Sequence, residues 1–244
     1  MKFSTLLAIS IVFTIFVTTN SLQIHCIFSE TFLNAVGNGY ECHTTNILAT
    51  QTTSVTSITG THIVGKNHND VTVIYTEGNY SLPFFPRNFS HFFPNIKAIS
   101  VHFSTIETLY GDELDEFPQL EHISFWGNYY LKAISSQLFE KTPNMIHIWM
   151  NNNAIEKVGR DLFTPVDVSR LRFLGFSFNP CISRDISGDN RTAMISLINE
   201  IRDKCPYDEL ICLSLKNDMK EVQEKLESKV KLLEEKLDKC SLSQ

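Results

Sequence analysis

Past its opening segment the sequence has no run of about 18 apolar residues, the length a membrane-spanning helix requires, and its SLSQ end carries no lipid-anchor tail. Basic residues are in deficit: Lys and Arg number 21 against 27 Asp and Glu, a formal net charge of −6, which leaves no electrostatic footprint for nucleic acid. A Gly-rich phosphate loop is missing, as are H-E-x-x-H and G-x-S-x-G. Ser, His and Asp occur, but no spacing groups a nucleophile with its base, so neither an enzyme nor a cofactor is expected. What remains, 43% hydrophobic and 20% charged, is the composition of an ordinary globular chain of one or two domains.

The first residues, MKFSTLLAISIVFTIFVTTNS, place one Lys before an apolar stretch from Leu6 to Val17. That is the pattern of a secretory signal, too short for a span, with cleavage expected near Ser21 or Thr19. The mature chain is therefore expected to be secreted and extracellular.

A frame L-x-x-L-x-L-x-x-N, with any bulky apolar residue at L, recurs along the middle of the chain. Leu120, Ile123, Phe125 and Asn128 fit it, as do Met145, Ile148, Met150 and Asn153, and Leu171, Leu174, Phe176 and Asn179. Ile96, Ile99 and Val101 fit with Ser104 in place of Asn; Val71, Ile74 and Asn79 fit with Thr76 at an apolar position. The starts at 71, 96, 120, 145 and 171 are 24 to 26 residues apart. Fixed-period similarity of this kind marks stacked turns of chain. Positions 4 and 6 alternate with 3, 5 and 7, as in a short strand with one buried side. The Asn amide both donates and accepts, so it can satisfy backbone groups of adjacent turns. This frame resembles the leucine-rich repeat over residues 71–180. The expected fold class is accordingly an α/β solenoid of short parallel strands, with disulfide-held caps at both ends and a C-terminal coiled-coil helix. The segments expected are a signal at 1–21, an N-terminal cap at 22–70, repeats at 71–180, a C-terminal cap at 181–206 and a coiled-coil tail at 207–244.

Six cysteines in a secreted chain suggest disulfides, although six allow 15 pairings. The two raw ends of a stack need caps, and the simple pairing is Cys26 with Cys42 and Cys181 with Cys205. DNRTAMISLINEIRDKC reads as a cap helix that Asp189 can start, with Met194, Ile198, Ile201 and Cys205 on one face. The Thr-rich run from Thr44 to Thr61 has strand character near Val55 to Thr59; mucin-like glycosylation is the weaker alternative. From Cys212 to Cys240 apolar residues follow in steps of three or four averaging 3.5, the coiled-coil period. An amphipathic helix folded back on the stack is the alternative. Cys212 and Cys240 lie on that stripe roughly 42 Å apart along one helix, so they are candidates for interchain disulfides. A helix that doubles back, or Cys212 joined to the cap, stays open.

Positions 3, 5 and 7 of the frame form columns on the open side: Val73, Ala98, His122, His147 and Phe173; Tyr75, Ser100, Ser124, Trp149 and Gly175; Glu77, His102, Trp126, Asn151 and Ser177. Both tryptophans fall here, and Lys and Arg are absent. Candidate partner-binding residues are Tyr75, His102, His122, Trp126, His147, Trp149, Asn151 and Phe173. A cap, the tail or a glycan covering this face is the competing expectation. His122 and His147 lack the further ligands a zinc site needs, so no metal is expected. A pH-dependent contact is a cheaper role for them. Asn79, Asn88 and Asn190 open Asn-x-Ser/Thr acceptors, with Asn88 the best placed; Asn79 cannot both carry a glycan and hold position 9 inward.

Cys26, Tyr40 and Cys42, SITGTH at Ser57 to His62, the repeats, and NPC at Asn179 together resemble secreted insect leucine-rich repeat immune proteins. That resemblance implies a tail mediating disulfide-linked homo- or hetero-oligomers, binding to other secreted proteins, and a role in innate immunity. Two functions follow as expectations: a recognition or scaffold module that binds another secreted protein, or a structural or adhesion component of a secreted matrix cross-linked through the tail cysteines.

Overall fold

The computed structural model describes residues 21–33, 37–44, 47, 54–78, 82–207 and 229–230. The expected signal up to residue 20, Asn79 and the tail cysteines Cys212 and Cys240 lie outside them. Two segments near the start, β1 (Ser21–His25) and β4 (Ser54–Thr59), pair in parallel as a separate small sheet. Cys26 follows β1 directly, and a hairpin of β2 (Ile27–Leu33) and β3 (Gly37–Thr44) comes next. The Cys26–Cys42 disulfide ties the base of that hairpin.

β3 leads into a row of parallel strands: β5 (Val73–Glu77), β6 (Ala98–His102), β8 (His122–Trp126), β10 (His147–Trp149) and β12 (Phe173–Gly175). Their registers superpose the repeating frame: Ile74, Ile99, Ile123, Ile148 and Leu174 line up across five strands. Each of these side chains is fully buried. A strand of three to five residues with one apolar side can bury that side only against a layer behind it. The layer is a second sheet of very short parallel strands, β7 (Thr108–Leu109), β9 (Ala133–Ile134), β11 (Lys157–Gly159) and β14 (Pro206–Tyr207). Leu109, Ile134 and Val158 point from it into the core, where Phe89, Phe117, Phe139 and Phe163 fill the space left by the turns.

The expected fold class requires correction. Among the described residues there are fourteen strands and the helix α1 (Arg191–Lys204), besides residues 229–230, which are also helical. The main sheet is mixed, because β2 runs antiparallel to β3 at one edge and β13 (Asp185–Ser187) antiparallel to β12 at the other. The described residues are thus mostly β rather than a regular α/β leucine-rich repeat solenoid; the expected coiled-coil tail at 207–244 lies outside them apart from 207 and 229–230. The connections between main-sheet strands explain the difference. Pro94, Pro118 and Pro143 stand shortly before the next strand, and proline has no amide hydrogen to offer a helix. The return path is built from tight turns, such as Leu120 N to Phe117 O at 3.0 Å and Thr142 N to Phe139 O at 3.1 Å.

The position-nine asparagines do what their amides allow. Asn128 accepts from the Ser104 amide at 2.8 Å and donates to the Val101 carbonyl at 2.9 Å. Asn153 accepts from the Asn128 amide at 2.7 Å and donates to Phe125 and Met150 carbonyls at 2.6 and 2.9 Å. Asn179 accepts from Ile155 and donates to Met150 and Phe176. The result is a buried ladder that satisfies the backbone where each strand ends.

Beyond β13, α1 closes the far end. Asn190 caps it, accepting from the Ala193 amide at 3.0 Å, and Asp189 instead pairs with Arg172 at 2.9 Å. Met194, Leu197 and Ile201 are its buried face, and Cys205 joins Cys181 in the second disulfide. Among the described residues no helix is long and apolar enough to cross a membrane, and the two disulfides fit an oxidising compartment.

Candidate functional site

Because side chains alternate along a strand, positions 4 and 6 of each turn go inward while 3, 5 and 7 share the opposite face. The parallel register brings the predicted columns together: Val73, Ala98, His122, His147 and Phe173 align, as do Tyr75, Ser100, Ser124, Trp149 and Gly175, and Glu77, His102 and Trp126. Trp126 and Trp149 therefore lie on one side of the sheet, neither in the core.

The rings on this face form two groups. In the first, His43 meets Tyr75 at 4.7 Å between centroids, Tyr75 meets His102 at 5.2 Å, and His102 meets Trp126 at 5.9 Å. In the second, His122 meets His147 at 5.8 Å, His147 meets Phe173 at 6.0 Å, and Phe173 meets Trp149 at 5.1 Å. Most contacts are edge-on or tilted, as ring quadrupoles favour. The small residues Ala98, Ser100 and Ser124 are buried between the groups. Ser124 Oγ bonds His102 Nε2 at 2.9 Å, and the Tyr75 hydroxyl donates to Glu77 at 2.6 Å.

The eight predicted partner-binding residues are not equally accessible. Trp149 is 39% exposed, and Tyr75, His102, Trp126, His147 and Phe173 are half-buried. His122 and Asn151 are buried, so they support the face rather than present it. Asn151 donates to Asp185 at 3.0 Å and accepts from the Ser177 amide at 3.2 Å, fastening β13 to the sheet.

Burial sets the ionisation of this face. It holds His102 and His122 down at about 4, against a partial upward pull of Glu77 on His102 and a further downward push of His147 and His102 on His122. His147 is lowered for the same reason. Burial and the hydrogen bond to Glu77 raise the Tyr75 phenol. At neutral pH His102, His122 and His147 are uncharged, and Glu41, Glu77 and Asp185 are the carboxylates that stand in these columns. Among the described residues no three His, Cys, Asp or Glu stand together as a metal site.

The turns that follow the strands add a feature that the columns do not contain. Position 8, one to three residues past the end of each strand, is left-handed in all five turns: Gly78 at φ 66°, Phe103 at 56°, Gly127 at 69°, Asn152 at 59° and Phe178 at 60°. Gly and Asn suit that conformation, whereas Phe does not. Phe103 covers Trp126 at 4.8 Å, and a Cβ on Gly127 would meet its ring at 2.8 Å. Phe178 is 74% exposed and Tyr129 60%, so both stand proud of the rim. Two bulky residues among Gly, Gly and Asn at one frame position is the signal that could have revealed them.

Asn88 is exposed, with its amide donating to the Val55 carbonyl at 2.8 Å; an attached glycan would leave one amide hydrogen for that bond. Asn190 is exposed at the start of α1. No family model matches this chain, and no curated protein matches it.

Proposed function

We propose that this chain is a secreted protein-binding module that docks another secreted protein on the open face of its main sheet. What supports the reading is the band of rings from Tyr75 through Trp126 to Trp149 and Phe173, rimmed by exposed Phe178 and Tyr129. Aromatic side chains with few competing charges are what the centre of a protein interface is made of. The two left-handed phenylalanines strengthen it: backbone strain of roughly 1–3 kcal/mol persists where surrounding structure compensates, often at functional surfaces. Cys212 and Cys240 remain candidates for covalent links between chains.

Capture from extracellular fluid without reductant tests the proposal. The native chain is expected to retain a discrete partner. The Trp126→Ala/Trp149→Ala variant is expected to lose it while keeping its circular dichroism. Retention of the partner by the folded double variant would remove the docking role. Electrophoresis of the captured material without reductant should give a band above monomer mass that reductant abolishes.

A further inference from the structure

Charge is distributed unevenly over the docking face, and the following inference rests on the reading of that face as a binding surface. No Lys or Arg stands in the columns headed by Glu41, by His43 and by Glu77, nor at position 8. The acidic groups concentrate at one end. Glu41 pairs across from Val73 and Glu77 ends the same strand, so the two carboxylates bracket Tyr75, which responds to both. Glu77 is exposed, and Tyr75 donates to one of its two oxygens, which fixes the carboxylate while leaving the other oxygen open. His43 and His102 stand edge-on to the Tyr75 ring. At the opposite end, near β10 and β12, Trp149, Phe173 and Phe178 are apolar, and Asp185 is consumed by Asn151 and by the Phe176 and Ser177 amides.

A ring flanked by carboxylates, with no cation in these columns among the described residues, is complementary to an arginine or lysine side chain, which gains both ion pairing and contact with an aromatic face. We infer that the partner presents a two-part segment: a cationic side chain seated at Tyr75 between Glu41 and Glu77, and a large apolar side chain over Trp149 and Phe178. β5 and β10 are separated by two intervening strands, so the anchors are roughly 14 Å apart at about 4.8 Å per strand spacing. An anionic segment is disfavoured by the same carboxylates.

Both tryptophans of the chain lie on this face, so intrinsic emission reports its occupancy directly. The experiment titrates the full chain with a Trp-free peptide bearing arginine and leucine about 14 Å apart when extended, and with the same peptide carrying citrulline in place of arginine. The arginine peptide is expected to shift the emission and bind about tenfold more tightly than the citrulline peptide. Glu77→Gln, a change at an exposed side chain, is expected to erase that difference. Glu140→Gln, at an exposed position away from the sheet face, should leave it intact. Equal binding of the two peptides would overturn the cationic anchor while sparing the docking face. A preference that survives Glu77→Gln would overturn it as well. No emission change with either peptide overturns the two-part segment; the docking face itself then stands or falls on the tryptophan variants and the native partner.

Discussion

Two histidines of the sheet face are held neutral by their surroundings, and this couples stability to acid. His102 and His122 titrate near 4 in the folded chain, below the ordinary value of 6.5. The unfolded chain therefore binds protons between about pH 6.5 and 4 that the folded chain refuses, so folding stability falls as pH drops through that window and is flat above it. The loss is expected to be on the order of 3 kcal/mol per histidine by pH 4. Urea unfolding across that range checks it; His122→Asn should remove about half of the slope, and an unchanged slope contradicts the assignment. Phe178 offers a different test at the same scale. It is left-handed and exposed, so Phe178→Gly should raise stability by about 1 kcal/mol while weakening partner binding. A stability gain with undiminished binding would leave the strain without a purpose.

Among the elements, the asparagine ladder carries the turns after β8, β10 and β12. Asn153→Ala removes the acceptor for the Asn128 amide and both donors to the Phe125 and Met150 carbonyls, all buried. The expected cost is about 3 kcal/mol, read by thermal or urea unfolding; a cost under about 0.5 kcal/mol would mean that the turns hold without it. This ladder was legible beforehand, because Asn at a fixed offset from an apolar strand has few other uses. So were the strand columns and the pairings Cys26–Cys42 and Cys181–Cys205. The returns between strands were not. Their apolar pairs do recur, as Ile106 and Leu109, Leu131 and Ile134, then Ile155 and Val158, but the strands they form are two or three residues long, too short for the pattern to tell strand from helix. Asn190 rather than Asp189 caps α1, a one-residue difference that composition does not resolve. The left-handed position 8 was visible only as an odd column of Gly, Phe, Gly, Asn and Phe.

At the scale of the molecule, one apolar core among the described residues runs from Ile24 to Cys205, spanning the hairpin, the parallel row and α1. The antiparallel edges β2 and β13 turned an expected regular stack into a mixed sheet, because pairing at an edge depends on which segment folds back, and neither IFSETFL nor DIS carries a period. The main sheet thus ends on an antiparallel strand at each edge, and its aromatic face lies between those two strands. Whether a partner occupies that face can be measured residue by residue through radical oxidation of the free chain and of its captured complex. The account predicts strong protection of Trp149, Phe178 and Tyr129 in the complex, with Tyr110, beside the second sheet, oxidised as before. Protection at Tyr110 with Trp149 and Phe178 still fully reactive would contradict it.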